Sequence, residues 1–152
     1  MSIRQSIADQ MKDAMRQKDS VRLDTLRSIK AALLEKEISL RQGGAAELSD
    51  AEELQVVTNL AKKRRDSIEQ FTAAGRTDLA EKESKELAIL ITFLPEQLSA
   101  ESVAKRLKEL IAETGATSMK DLGKVMPLAM KEFKGRADGK LVQDTLKTLL
   151  GG

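Results

Sequence analysis

Leu94-Pro95-Glu96-Gln97-Leu98-Ser99 is the stretch on which the reading of the fold turns. Proline carries no backbone N–H and disfavours helical geometry in the residue before it, so a helix arriving at Leu94 stops there, with Leu94 extended. Upstream, residues 78–94 carry Leu79, Leu87, Leu90, Ile91 and Leu94 at helical spacing. Before them, Gly75 follows a helix that opens on the capping box Ser49-Asp50-Ala51-Glu52 and runs to about Ala74. Val57, Ala61, Ile68 and Phe71 set its inward face.

Further upstream, residues 20–41 predict a long helix facing inward through Leu23, Leu26, Ile29 and Leu33, with Leu34 and Ile38 widening the stripe. Residues 2–17 predict the first helix, capped by Ser2 with Gln5 and lined every four residues by Ile3, Ile7, Met11 and Met15. Gly43-Gly44-Ala45-Ala46 has no periodicity and reads as a flexible connection.

Downstream of Pro95 the helices shorten. Residues 100–114 carry Val103, Leu107, Leu110 and Ile111 and end at Gly115. The next helix starts at Ser118 and reaches Phe133 on a stripe of Met119, Leu122, Met126, Met130 and Phe133, with Pro127 inside it. The last starts at Asp138 and carries Leu141, Thr145, Leu146 and Leu149. No segment alternates as a strand does. The expectation is an all-α chain: an N-terminal domain of long helices over 1–94, then a small three-helix domain over 95–152.

Composition narrows the chemistry. The chain has 152 residues, 33% of them charged and only 2% aromatic, so the core is aliphatic and helix-forming residues dominate. There is no Cys and no His, which removes disulfides, thiolate nucleophiles and Cys/His zinc sites. No apolar stretch resembles a signal peptide or a membrane span, and a cytosolic protein is expected, with no membrane partner.

Candidate catalytic motifs are scarce. A Gly-x-Ser-x-Gly elbow is absent, and Gly135-Arg136-Ala137-Asp138-Gly139-Lys140 has three residues between its glycines where a phosphate loop needs four. Glu81, Glu83 and Glu86 offer carboxylates for a metal or for acid–base work, but beside Lys82 and Lys85 they read better as a solvated, ion-paired face. No catalytic residue and no cofactor are assigned.

Two basic segments remain. Lys62-Lys63-Arg64-Arg65 wraps around its helix and makes no single patch. Its apolar phase brings Arg64 or Arg65 toward the inward face, where a carboxylate such as Glu83 or Glu86 must meet it, although RNA contact would also suit a guanidinium. The second segment is Lys134–Lys140, a loop feeding a helix start. Residues 120–140 hold six basic and three acidic side chains in a chain whose net charge is only +2. Lys124, Lys131, Lys134, Arg136 and Lys140 are the candidate nucleic-acid-binding residues, since cations beside the N–H groups of a helix start favour phosphate. The competing reading is a solvated turn with Asp138 as the cap.

Gly123-Lys124-Val125-Met126 followed by Lys134-Gly135-Arg136-Ala137-Asp138-Gly139-Lys140-Leu141-Val142 resembles the tail signature of the YqeY family. It is also similar to the tail domain of GatB, a subunit of the tRNA-dependent amidotransferase. Arg64-Arg65-Asp66-Ser67-Ile68-Glu69, Ala74-Gly75-Arg76 and Leu94-Pro95-Glu96-Gln97-Leu98 look like YqeY as well, in the right order, so the resemblance spans the chain. Pro127 departs from the pattern and bears on the course of its helix. The resemblance implies a helical N-terminal part, a three-helix tail, and a tRNA-related role. The partner it implies is tRNA, or a tRNA synthetase or amidotransferase. An amidotransferase activity (carbon–nitrogen ligase, glutamine as nitrogen donor) would be inherited by homology, because GatB's catalytic region has no counterpart here. A protein-only helical adaptor is the remaining alternative. The scarcity of aromatics favours phosphate and shape contacts over base stacking.

Overall fold

The computed structural model describes residues 2–41 and 47–151, and the connection read at Gly43–Ala46 lies outside them. Among the described residues there are seven α-helices, one 3₁₀ turn and no strand, so the fold is all-α. Contacts divide the chain into two compact units, Met1–Leu94 and Pro95–Gly152.

The first unit contains α1 (Ile3–Arg16), α2 (Ser20–Leu40), α3 (Asp50–Ala73) and α4 (Thr77–Ile91). Both capping boxes form: Ser2 with Gln5 at α1, and Ser49 with Glu52 at α3. Each satisfies two backbone donors that the helix leaves unpaired. The core is built from Ile7, Leu26, Ile29, Leu33, Val57 and Leu90. α3 and α4 form an antiparallel pair joined through Gly75 at φ +72°. α4 ends at Ile91, three residues before the expected stop. Thr92, Phe93 and Leu94 instead donate their N–H groups three residues back, tightening the chain ahead of Pro95.

Two stripes differ from the sequence expectation. Met15 is exposed and Ala14 is buried in its place. A four-residue step advances 400° around a helix, so three steps from Ile3 drift about 120° off the buried face. In α2, Leu34 and Ile38 do not widen the inward stripe; they are 51% and 56% exposed.

The second unit contains α5 (Ala100–Thr114), the 3₁₀ turn Met119–Asp121, α6 (Leu122–Phe133) and α7 (Gly139–Gly151). Its core gathers Val103, Leu107, Val125, Phe133, Val142 and Leu146. The buried face of α6 runs through Val125, Ala129 and Phe133, while Met119 and Met130 of the expected stripe are exposed. The true phase follows i, i+4, i+8, and the longer methionines mark its flank. Pro127 lies inside α6 without ending it, on the exposed side. The carbonyl of Gly123, which would have accepted its missing N–H, belongs to an exposed residue as well, so the lost bond is cheap.

Candidate nucleic-acid interface

The Lys134–Lys140 loop begins where α6 breaks. Lys134 leaves helical geometry at ψ 121°, and Gly135 turns left-handed at φ +76°. The N–H groups of Arg136 and Ala137 then donate back to the Phe133 carbonyl at 2.8 and 3.1 Å. This folded loop is pinned from outside by the segment after Pro95. The Leu98 N–H donates to the Arg136 carbonyl at 2.9 Å. Gln97 Nε2 donates to the Gly135 carbonyl at 2.7 Å and to the Pro95 carbonyl at 2.8 Å. Two stretches that the sequence analysis treated separately therefore form one hydrogen-bonded clamp. A backbone carbonyl in a loop would otherwise need water, so these bonds fix the loop's course.

Asp138 caps α7. Its carbonyl accepts from Val142 N–H at 3.1 Å and its Oδ1 from Lys140 N–H at a long 3.4 Å. A carboxylate thus stands where the start of α7 would receive a phosphate, and any anion site here rests on side-chain cations rather than on the helix terminus.

Those cations are placed as follows. Lys124 and Lys131, seven residues apart, share one exposed face of α6, with Leu128 between them at 48% exposure. Lys134 is exposed at the end of α6, Arg136 is half-buried in the loop, and Lys140 is exposed in the first turn of α7. Neighbouring carboxylates are engaged. Asp121 Oδ2 accepts from the Thr117 N–H at 2.9 Å, which holds its carboxyl below the usual range, and its Oδ1 lies 3.6 Å from Lys124 Nζ. Glu132 is held by Arg106, whose Nε donates to both carboxylate oxygens at 3.0 and 2.9 Å. Arg106 also reaches Glu109 and Glu113 at 3.0 and 3.1 Å, and these acids, Glu132 first, raise its already high pKa. Arg106 is not among the residues singled out from the sequence. Its signal was the spacing Arg106, Glu109, Glu113, which puts all three on one side of α5. Arg106, Arg136, Ser102 and Phe133 line a groove beside the pinned loop.

In the first unit Arg64 Nη1 lies 3.1 Å from Glu83 and 3.2 Å from Glu86, each by Oε2, bridging α3 to α4. Arg64 is on the stripe of Val57 and Ala61, and Arg65 beside it is half-buried. With two of the three α4 carboxylates bound to a guanidinium, a metal at Glu81, Glu83 and Glu86 has no support, and no metal-ligating cluster occurs among the described residues. Arg64→Ala is expected to destabilise the protein by about 1.5 kcal/mol in urea unfolding, discounted from a fully buried pair because the guanidinium is 26% exposed. Arg64→Lys, which keeps a charge but not the fork, should lose about half of that. Wild-type stability in Arg64→Ala would show the bridge to be idle.

The family model described as Yqey-like protein matches residues 4–150. Among curated proteins, the Saccharomyces cerevisiae (strain YJM789) protein named "Altered inheritance of mitochondria protein 41, mitochondrial" is 30% identical over 141 residues, covering 91% of this chain and 71% of its own. The protein of the same name from Kluyveromyces lactis is 30% identical over 146 residues, 93% of this chain and 72% of its own. That from Pyrenophora tritici-repentis is 29% identical over 143 residues, 93% and 77%. These names overturn the cytosolic expectation, because the relatives are mitochondrial proteins. The expectation rested on the lack of an apolar leader. Mitochondrial targeting segments are amphipathic and arginine-rich, so apolarity is no guide to that compartment. No helix among the described residues is long and apolar enough to cross a membrane.

Proposed function

The chain belongs to the Yqey-like protein family, and from that premise we propose that its second unit binds the phosphate backbone of a structured RNA, tRNA above all. The observation that carries the reading is the clamp: Gln97 and Leu98 hold the loop that bears Lys134 and Arg136. Beside it, the carboxylates of Asp121, Glu132 and Asp138 are taken up by local partners. Lys131 and Lys134 are exposed beside them, and Lys124 keeps Asp121 at 3.6 Å. Phosphate contacts of this kind give affinity and orientation, with little base specificity. The resemblance to the GatB tail adds tRNA as the target. The mitochondrial names of the relatives extend to this chain, as part of the proposal, a mitochondrial setting for that role.

One observation favours a second reading. Leu128 and Met130 are exposed among the lysines at 48% and 42%, which suits a protein surface of acidic and apolar character, such as a tRNA synthetase or an amidotransferase. Titration with tRNA at 50 and 200 mM salt separates the two. Phosphate binding predicts affinity falling at least tenfold across that range. Lys134→Ala with Arg136→Ala should weaken binding about tenfold or more and flatten the salt slope by roughly 1 to 2, with helical content unchanged. Absence of salt-sensitive tRNA binding at 50 mM would remove the RNA reading and leave the protein partner.

A further inference from the structure

A helix packed on one side of a small unit has one apolar stripe, and a helix apolar on two sides is covered on both. α2 has two. Leu26, Ile29 and Leu33 are buried in the first unit. Asp24, Arg27, Ala31, Leu34, Ile38 and Arg41 recur at alternating steps of three and four, and all six are exposed. Such spacing is that of a helix seam, with Ala31, Leu34 and Ile38 as its apolar centre. Beside it, a groove between α1 and α2 has Ile7, Ala8, Leu33 and Leu34 as its apolar walls, with Arg4, Lys30 and Glu37 around them. Its apolar walls suit an aliphatic side chain.

We propose that this face binds a second copy of the chain, with the two α2 helices antiparallel about a two-fold axis. A two-fold contact must be complementary to itself. The seam meets that condition in one register. Ala31 falls opposite Leu34 of the second copy, small against large. Arg27 lays its aliphatic stem against Ile38, and Asp24 meets Arg41. Symmetry makes each pairing twice. The ends of the seam carry opposite charges, which a copy running the other way satisfies and a uniformly acidic partner would not. Asp24 lies 3.6 Å from Arg27 in an exposed pair within α2, worth a few tenths of a kcal/mol, and Arg41, the exposed C-cap of α2, lies 3.3 Å from the half-buried Glu37. With α1 of each copy alongside, the assembly is a four-helix bundle closed around Leu34 and Ile38.

The test is the mass of the full chain by sedimentation velocity between about 5 and 500 μM, a range that spans the affinities of modest interfaces. The wild type should climb from 16.7 kDa toward twice that value. Leu34→Glu with Ile38→Glu should weaken association at least a hundredfold, at unchanged circular dichroism, because the new carboxylates would be buried without partners. Asp24→Arg and Arg41→Asp should each weaken it about tenfold by setting like charges together, and mixing the two variants should restore a dimer. A wild type that stays at 16.7 kDa throughout overturns the proposal. So does a dimer that survives Leu34→Glu with Ile38→Glu, or a charge-swapped mixture that associates no better than its components.

Discussion

Phe133→Ala is expected to unfold the second unit at 25 °C while the first stays folded. Phe133 is 2% exposed and is the largest buried side chain in a core otherwise made of aliphatics. Truncating such a residue costs about 3 to 5 kcal/mol, as lost transfer energy plus the cavity left behind. A unit of this size has only a few kcal/mol to lose. Unfolding of the unit would also release the Lys134–Lys140 loop, whose two folding N–H groups donate to the Phe133 carbonyl. Thermal unfolding followed by circular dichroism should show the loss of α5, α6 and α7 alone, and limited proteolysis should trim the chain back toward Leu94. Phe133→Leu, which keeps most of the volume, should cost about 1.5 kcal/mol and leave the unit folded. A single transition in which both units melt together would show that Pro95–Gly152 has no stability of its own, and a loss below about 1 kcal/mol would show that the cavity collapses.

Several helix ends were legible in the sequence because each is written in local chemistry. Ser2 and Gln5, Ser49 and Glu52, and Gly115 act within a few residues of themselves, so local chemistry marks these ends, whereas α4 stops at Ile91, short of Pro95. Side-chain facing was less legible. Hydrophobicity alone put Leu34, Ile38, Met15 and Met130 inside, whereas the packing took Ala14 and Ala129. Small residues win where two helices approach closely, and only the three-dimensional arrangement says where that is. The clamp was not legible at all. Gln97 and Gly135 are 38 residues apart, and neither local spacing nor composition links an amide side chain to a carbonyl across that distance. What the sequence did offer was both segments as motifs, without the bond between them.

Glu53 is a carboxylate whose place in the core is marked by its spacing. It sits at the stripe position before Val57 and Ala61, so a carboxylate faces the core, and it is 3% exposed. Its Oε2 accepts the Ile3 N–H at 2.9 Å, and its Oε1 lies 3.8 Å from Arg4 Nε. A side chain from α3 therefore completes the start of α1, where the first N–H groups have no partner within the helix and negative charge is favoured. Arg4 continues the link to Glu37 at 3.4 Å, and Glu37 to Arg41 at 3.3 Å, so the carboxylate is the buried end of a chain of charges. Glu53→Ala is expected to cost about 2 kcal/mol in urea unfolding, because it strands a part-buried N–H and removes the buried partner of an ion pair whose arginine is 40% exposed. Glu53→Gln keeps an acceptor for Ile3 and loses only the charge, so about half that cost is expected. Stability should return no further in Glu53→Leu, since an apolar side chain leaves the same N–H unsatisfied. If Ala, Gln and Leu all cost less than about 1 kcal/mol, the N-terminus of α1 finds water instead, and the tie from α3 contributes nothing to holding α1 in place.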